Sequence, residues 1–125
     1  MEIPYFFFSK MRMRIYGDIH GDFNTFKFCI KNLKDMLIVV AGDCGIGFSN
    51  SMNYYDSVFI PINTIAQANN LEILLLRGNH DDPKYFSEGI INYSNVKTIP
   101  DYYVIDKHIL CVGGGLSIDR ILRKE

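Results

Sequence analysis

Residues 36–45 read MLIVVAGDCG, and this stretch decides the fold. Met36 to Ala41 are apolar without a break, and Ile38, Val39 and Val40 are β-branched. A strand with one wet face alternates apolar and polar residues, whereas an uninterrupted apolar run suits a parallel sheet covered on both faces. The run stops at Gly42, and an acid, Asp43, follows at once.

Outward from this stretch the same arrangement recurs twice. Upstream, residues 12–16 read as a buried strand ending at Gly17, followed by Asp18, Ile19, His20, Gly21 and Asp22. Downstream, residues 72–76 (EILLL) read as a third buried strand, and beyond Arg77 come Gly78, Asn79, His80, Asp81 and Asp82. Between the first two strands, Asp22 is placed to cap a helix on which Phe23, Phe26, Cys29, Ile30 and Leu33 share one face. Lys27, Lys31 and Lys34 fall elsewhere, as an ordinary solvated face. Residues 54–69 are broadly helical, with a kink or a new start expected at Pro61. Asp82 before Pro83 suits another helix start. Residues 96–99, 102–105 and 109–112 read as shorter strands, with Asp106 and Lys107 in a tight connection between the last two. A short helix is expected over 116–125. Strand, helix, strand, helix, strand is the pattern of an α/β fold with right-handed crossovers. Ligands in such sheets bind outside the carboxyl ends of the strands, where the three glycine-led loops converge.

Composition narrows the function classes. A chain of 125 residues suits one domain, and 48% apolar with 22% charged residues marks it as globular. A net charge of -1 argues against a general affinity for nucleic acid or an anionic membrane, since both require a basic surface. Cys29, Cys44 and Cys111 form no C-x-x-C pair and have apolar neighbours, so buried free thiols in a reducing cytoplasm are expected. The opening MEIPYFFF lacks a basic start and is too short to span a bilayer. It reads as part of an N-terminal extension, residues 1–12, ahead of a domain at 13–125.

The three loops carry the chemistry. In an extended segment Asp18 and His20 point the same way, so both can hold one metal ion. Asp43, from the neighbouring strand, has two carboxylate oxygens and can bridge a pair of ions; Asn79 offers an amide oxygen to the second. His80 is left beside the pair, facing whatever the ions bind. Glycine before each ligand suits a tight turn at positive φ or a close approach of substrate to backbone. A mixed oxygen and imidazole set suits manganese, iron or zinc better than calcium. Two such ions activate water and clamp phosphate oxygens for in-line attack.

D-x-H at Asp18 and His20, G-D at Gly42 and Asp43, and G-N-H-D at Gly78 to Asp81 together resemble the calcineurin-like metallophosphoesterases. The resemblance runs from Arg14 to about Asp119. It implies a β-sandwich flanked by helices, represented here by its first half, a βαβαβ unit plus later short strands. It further implies that Asp18 and His20 bind the first metal, Asp43 bridges, Asn79 binds the second, and His80 steadies the phosphoryl group or protonates the leaving oxygen. The segment from Gly113 to Arg120 resembles the glycine-rich stretch of stand-alone bacterial and phage members, and its glycines would let the loop close over the metal site. Gly42 to Gly47 lacks the G-D-x-x-D-R-G of the protein serine/threonine phosphatase branch.

The family pattern also has a later histidine and a G-H-x-H, which this sequence lacks. His108 is no substitute, because at ~3.3 Å per residue it lies roughly 17 Å from the loops at the far end of its strand. The expectations are therefore a domain truncated at its C-terminus, a family complement of two divalent ions with one weakly held here, and an exposed apolar sheet face. Such a face would promote self-association or pairing with a partner chain that completes the domain. Two functional readings stand at this point. One is a cytoplasmic metal-dependent phosphoesterase acting on phosphate mono- or diesters; the other is a catalytically incomplete scaffold or gene fragment.

Overall fold

A computed structural model describes residues 12–17, 19–105 and 107–114. Asp18, Asp106, Gly115, most of the expected N-terminal extension and the expected helix at 116–125 lie outside the described residues. The chain runs β1 (Arg12–Gly17), α1 (Phe23–Ile30), β2 (Met36–Ala41), α2 (Met52–Asn69), β3 (Leu71–Leu76), α3 (Pro83–Ser87), β4 (Val96–Thr98), β5 (Tyr102–Ile105) and β6 (Ile109–Val112). Strands β1 to β4 form a parallel sheet in chain order, and β5 pairs with β6 in an antiparallel hairpin.

The unbroken apolar runs now have their reason. On one face Ile38 and Val40 of β2 and Ile73 and Leu75 of β3 pack with Phe23, Phe26, Tyr55, Phe59 and Ile62 from the helices. On the other, Leu37, Val39, Leu74 and Leu76 pack with Ile99, Ile105 and Cys111 at the hairpin. Both faces of the central strands are thus covered, and each fully buried aliphatic side chain contributes about 1.5–3 kcal/mol. The hairpin is the second sheet of the sandwich, the helices its opposite layer.

Three expectations change. First, β1 forms as read but is largely exposed, because it is an edge strand that the hairpin does not cover: Met13 and Ile15 align with Leu37 and Val39 yet stay at the surface. Second, α2 runs through Pro61 as one helix. Its buried stripe of Tyr55, Phe59, Ile62 and Ala66 outweighs the single hydrogen bond that proline cannot donate. Third, Cys29 is exposed, whereas Cys44 and Cys111 are buried as expected, and none of the three is in a disulfide. Besides Met13 and Ile15, apolar side chains are also exposed on the outer face of the hairpin, where Tyr102 opposes Val112 and Val104 opposes Leu110.

Helix starts follow the sequence signals. Asp22 accepts from the backbone N–H and hydroxyl of Thr25, and Asp82 accepts from the Lys84 N–H ahead of Pro83 in the first turn of α3.

Candidate metal centre

Parallel register aligns Gly17 with Ala41 and Ala41 with Leu76, so the loops after β1, β2 and β3 leave the sheet at one edge. The loops are stitched together by their backbones. His20 donates its N–H to the Asp43 carbonyl at 2.8 Å, and Gly21 donates to the Cys44 carbonyl at 3.0 Å. His20 is therefore not extended, as the sequence suggested, but sits in a turn that wraps onto the next loop.

This wrapping has a local cost. His20 and Asp43 both adopt left-handed backbone, with φ of 48° and 44°. Each costs a non-glycine residue roughly 1–2 kcal/mol, and such conformations persist only where surrounding bonds over-determine them. Of the three glycines ahead of the motifs, Gly42 has positive φ, at 88°. Gly78 serves by close approach instead: a β-carbon there would lie 2.0 Å from the Asp43 nitrogen and 2.2 Å from its Oδ1.

Asp43 is the centre of the cluster. The backbone N–H of His80 donates to its Oδ1 at 3.0 Å, and His80 Nδ1 lies 3.0 Å from its Oδ2. Burial raises the Asp43 pKa, but the two bonds from His80 and the nearby imidazoles outweigh it, and the net shift is downward. The side chain is thus an anion, which can only accept, so Nδ1 of His80 is the donor. Asp43 is 12% exposed and His80 43% exposed, so the pair stands at the surface of the edge. The His20 and His80 rings are 6.4 Å apart between centroids.

Beside Asp43 opens a cleft of about 230 Å³ lined by Gly42, Asp43, Gly78, Asn79, Val112 and Gly114 among others. The hairpin end is pinned over it: Gly113 donates to the Asp101 carbonyl and Gly114 to the Arg77 carbonyl. Arg77 and Asp101 are themselves joined by two bonds of 2.9 Å. A larger groove of about 710 Å³ runs between α1 and α2, with Phe28, Ile60, Pro61 and Ile65 in its lining. It holds none of the candidate ligands, whereas the smaller cleft is lined by Asp43 and Asn79.

Of the residues singled out from the sequence, Asp43 and His80 touch, His20 bonds to Asp43 through its backbone, and Asn79 lines the same cleft. Asp18 lies outside the described residues. His108 is exposed in the turn of the hairpin. Among the described residues, no three His, Cys, Asp or Glu side chains form a metal-holding group.

A family model for the calcineurin-like phosphoesterases matches residues 11–125. The chain belongs to the calcineurin-like phosphoesterase family. Membership places it among metal-dependent phosphoesterases. No curated protein and no solved structure gives a significant match. No closed metal shell forms among the described residues, but the donor types present, carboxylate, imidazole and amide oxygen, are ones that a divalent ion takes. An anionic carboxylate holds about four lone-pair positions, and His80 occupies two of those on Asp43. Imidazole and amide donors stand beside it, a mixed set suited to a transition metal. No helix among the described residues is long and apolar enough to cross a membrane.

One role was missed from the sequence, that of Asp81, which the motif names without assigning it a partner. Asp81 is buried, 4% exposed, and accepts from four backbone N–H groups, those of Cys44, Gly45, Ile46 and Gly78. The sequence places Asp81 in the G-N-H-D motif but says nothing of its bonds; the four donors become visible once the two loops are side by side.

Proposed function

We propose that this calcineurin-like phosphoesterase hydrolyses phosphate mono- or diesters with water as the nucleophile. Asp18, His20, Asp43 and Asn79 would hold divalent metal, with manganese, iron or zinc as the class of ion. The ion, when bound, supplies Lewis-acid activation of water and neutralises charge on the phosphate. In the reaction the water oxygen bonds to phosphorus, the ester P–O bond breaks, and the leaving oxygen takes a proton. His80 is the residue for that last task. With its Nδ1–H engaged in the hydrogen bond to Asp43, the proton that the protonated ring can pass to the leaving oxygen is the one on Nε2.

The observation that carries this reading is the Asp43 carboxylate, kept anionic by His80 beside a cleft at the carboxyl ends of β2 and β3. Both residues then have separate duties, one toward the ion and one toward the leaving group. The test is hydrolysis of an aryl phosphate and an aryl phosphodiester with added manganese, comparing the intact chain with Asp43→Asn and His80→Ala. Hydrolysis that drops in both variants by at least about 100-fold is expected, since even outer partners of a metal shell contribute 10–100-fold. Hydrolysis that persists in both would overturn the assignment. No manganese-dependent hydrolysis by the intact chain would leave the fold as a scaffold.

A further inference from the structure

Asp81 ties together the two loops that carry the candidate site. Its Oδ1 accepts from Gly45 at 2.8 Å and Ile46 at 3.0 Å; its Oδ2 accepts from Cys44 at 3.0 Å and Gly78 at 2.9 Å. Three of these donors directly follow Asp43, and the fourth directly precedes Asn79 and His80. An ionised carboxylate offers about four acceptor positions, so Asp81 is saturated by backbone and has none left for an ion or a substrate.

We propose that Asp81 is a positioning residue, a buried carboxylate clamp that sets the spacing of Asp43 and His80 and through it the affinity of the site for a divalent ion. The second half of this statement rests on the metal-dependent reading above. The physical reason for a clamp is the left-handed backbone of Asp43, with φ of 44°. Such a conformation relaxes unless its neighbours are held, and here the next three N–H groups all point at one anion. Charge-assisted bonds of this kind are roughly twice as strong as neutral ones. The two-and-two division of donors also makes Asp81→Asn a decisive variant. Whichever way an asparagine turns, its NH2 group faces two backbone N–H donors, and no flip restores all four bonds.

The test uses the full chain, hydrogen exchange of individual amides and manganese titration. Asp81→Asn should speed exchange at Cys44, Gly45, Ile46 and Gly78 by about 10- to 100-fold, the effect of leaving buried donors unpaired. Exchange at Ile38 and Ile73, in the middle of β2 and β3, should hold within about 3-fold, and manganese affinity should fall by about 10-fold or more. A uniform rise across strands and loops would show that Asp81 serves only overall stability, and would overturn the clamp. Unchanged exchange at the four amides would overturn it equally. Local loosening with manganese affinity unchanged would refute the link to the ion. Local loosening with no manganese binding by either protein would support the clamp and sink the metal reading. If Asp81→Asn does not fold, the intact chain carries the test: its Gly45 and Gly78 amides must be protected by at least about 100-fold, and rapid exchange there refutes the clamp.

Discussion

Replacing Gly78 with alanine adds one methyl group and nothing else. That methyl would stand 2.0 Å from the Asp43 nitrogen, 2.2 Å from its Oδ1 and 2.8 Å from its Cα, where ordinary contact begins at 3.4 Å. Asp43 must therefore shift by about 1 Å or more, since backbone atoms cannot rotate away. It is held on two sides, by His20 through its carbonyl and by His80 through both carboxylate oxygens. Overpacking of this kind costs about 1–3 kcal/mol, and straining the bonds to an anion adds about 1 kcal/mol. A loss of about 2–4 kcal/mol leaves most small domains folded, given a typical stability of 5–15 kcal/mol. Urea unfolding reads it as a lower midpoint with unchanged slope. Manganese affinity should fall by more than about 10-fold, because the displaced atom is a candidate ligand. Gly17→Ala is the internal control: a methyl there meets nothing within 4 Å, and stability should change by less than about 0.5 kcal/mol. Equal, small effects at both glycines would refute the account of how the loops are packed.

Other substitutions test other parts. Asp101→Asn should lower stability at neutral pH by less than about 1 kcal/mol, since the acid is partly exposed and its bond to Arg77 is screened. The hydrogen bond from Arg77 lowers the Asp101 pKa on folding, so the contribution is present above the ordinary value of 3.8 and is lost as pH falls through the folded value. Urea titrations of both proteins should therefore converge in acid; a gap that stays constant to pH 3 contradicts the pairing. Pro61→Ala should raise stability by about 1–3 kcal/mol by restoring a helix hydrogen bond at an exposed position. Thermal unfolding that is unchanged or earlier would show that the ring is needed where it is.

What the sequence revealed and what it hid divide along physical lines. Strands β2 and β3 were legible because continuous apolar runs have few other uses, and the caps at Asp22 and Asp82 because capping is local chemistry. The exposure of β1 was not legible, since it depends on sheet order: a strand pairing on one side only, beyond the hairpin's reach, stays wet whatever its composition. A new helix start at Pro61 was misread because a local rule was applied without the tertiary stripe of Tyr55, Phe59, Ile62 and Ala66 that keeps the helix continuous. The pairing of Asp43 with His80 was anticipated as a shared site, but the left-handed turns at His20 and Asp43 were not. They arise from backbone bonds between loops more than twenty residues apart. Asp81 is the strongest case, its three most distant donors lying 35 to 37 residues away.

In the proposed site Asp43, held anionic beside His80, would be a ligand to divalent metal. Calorimetric titration of manganese into the intact chain and into Asp43→Asn at neutral pH tests it most directly. The account predicts saturable binding by the intact chain and an affinity at least about 10-fold weaker in the variant. Equal affinity in the two proteins, or no saturable binding by either, would contradict it.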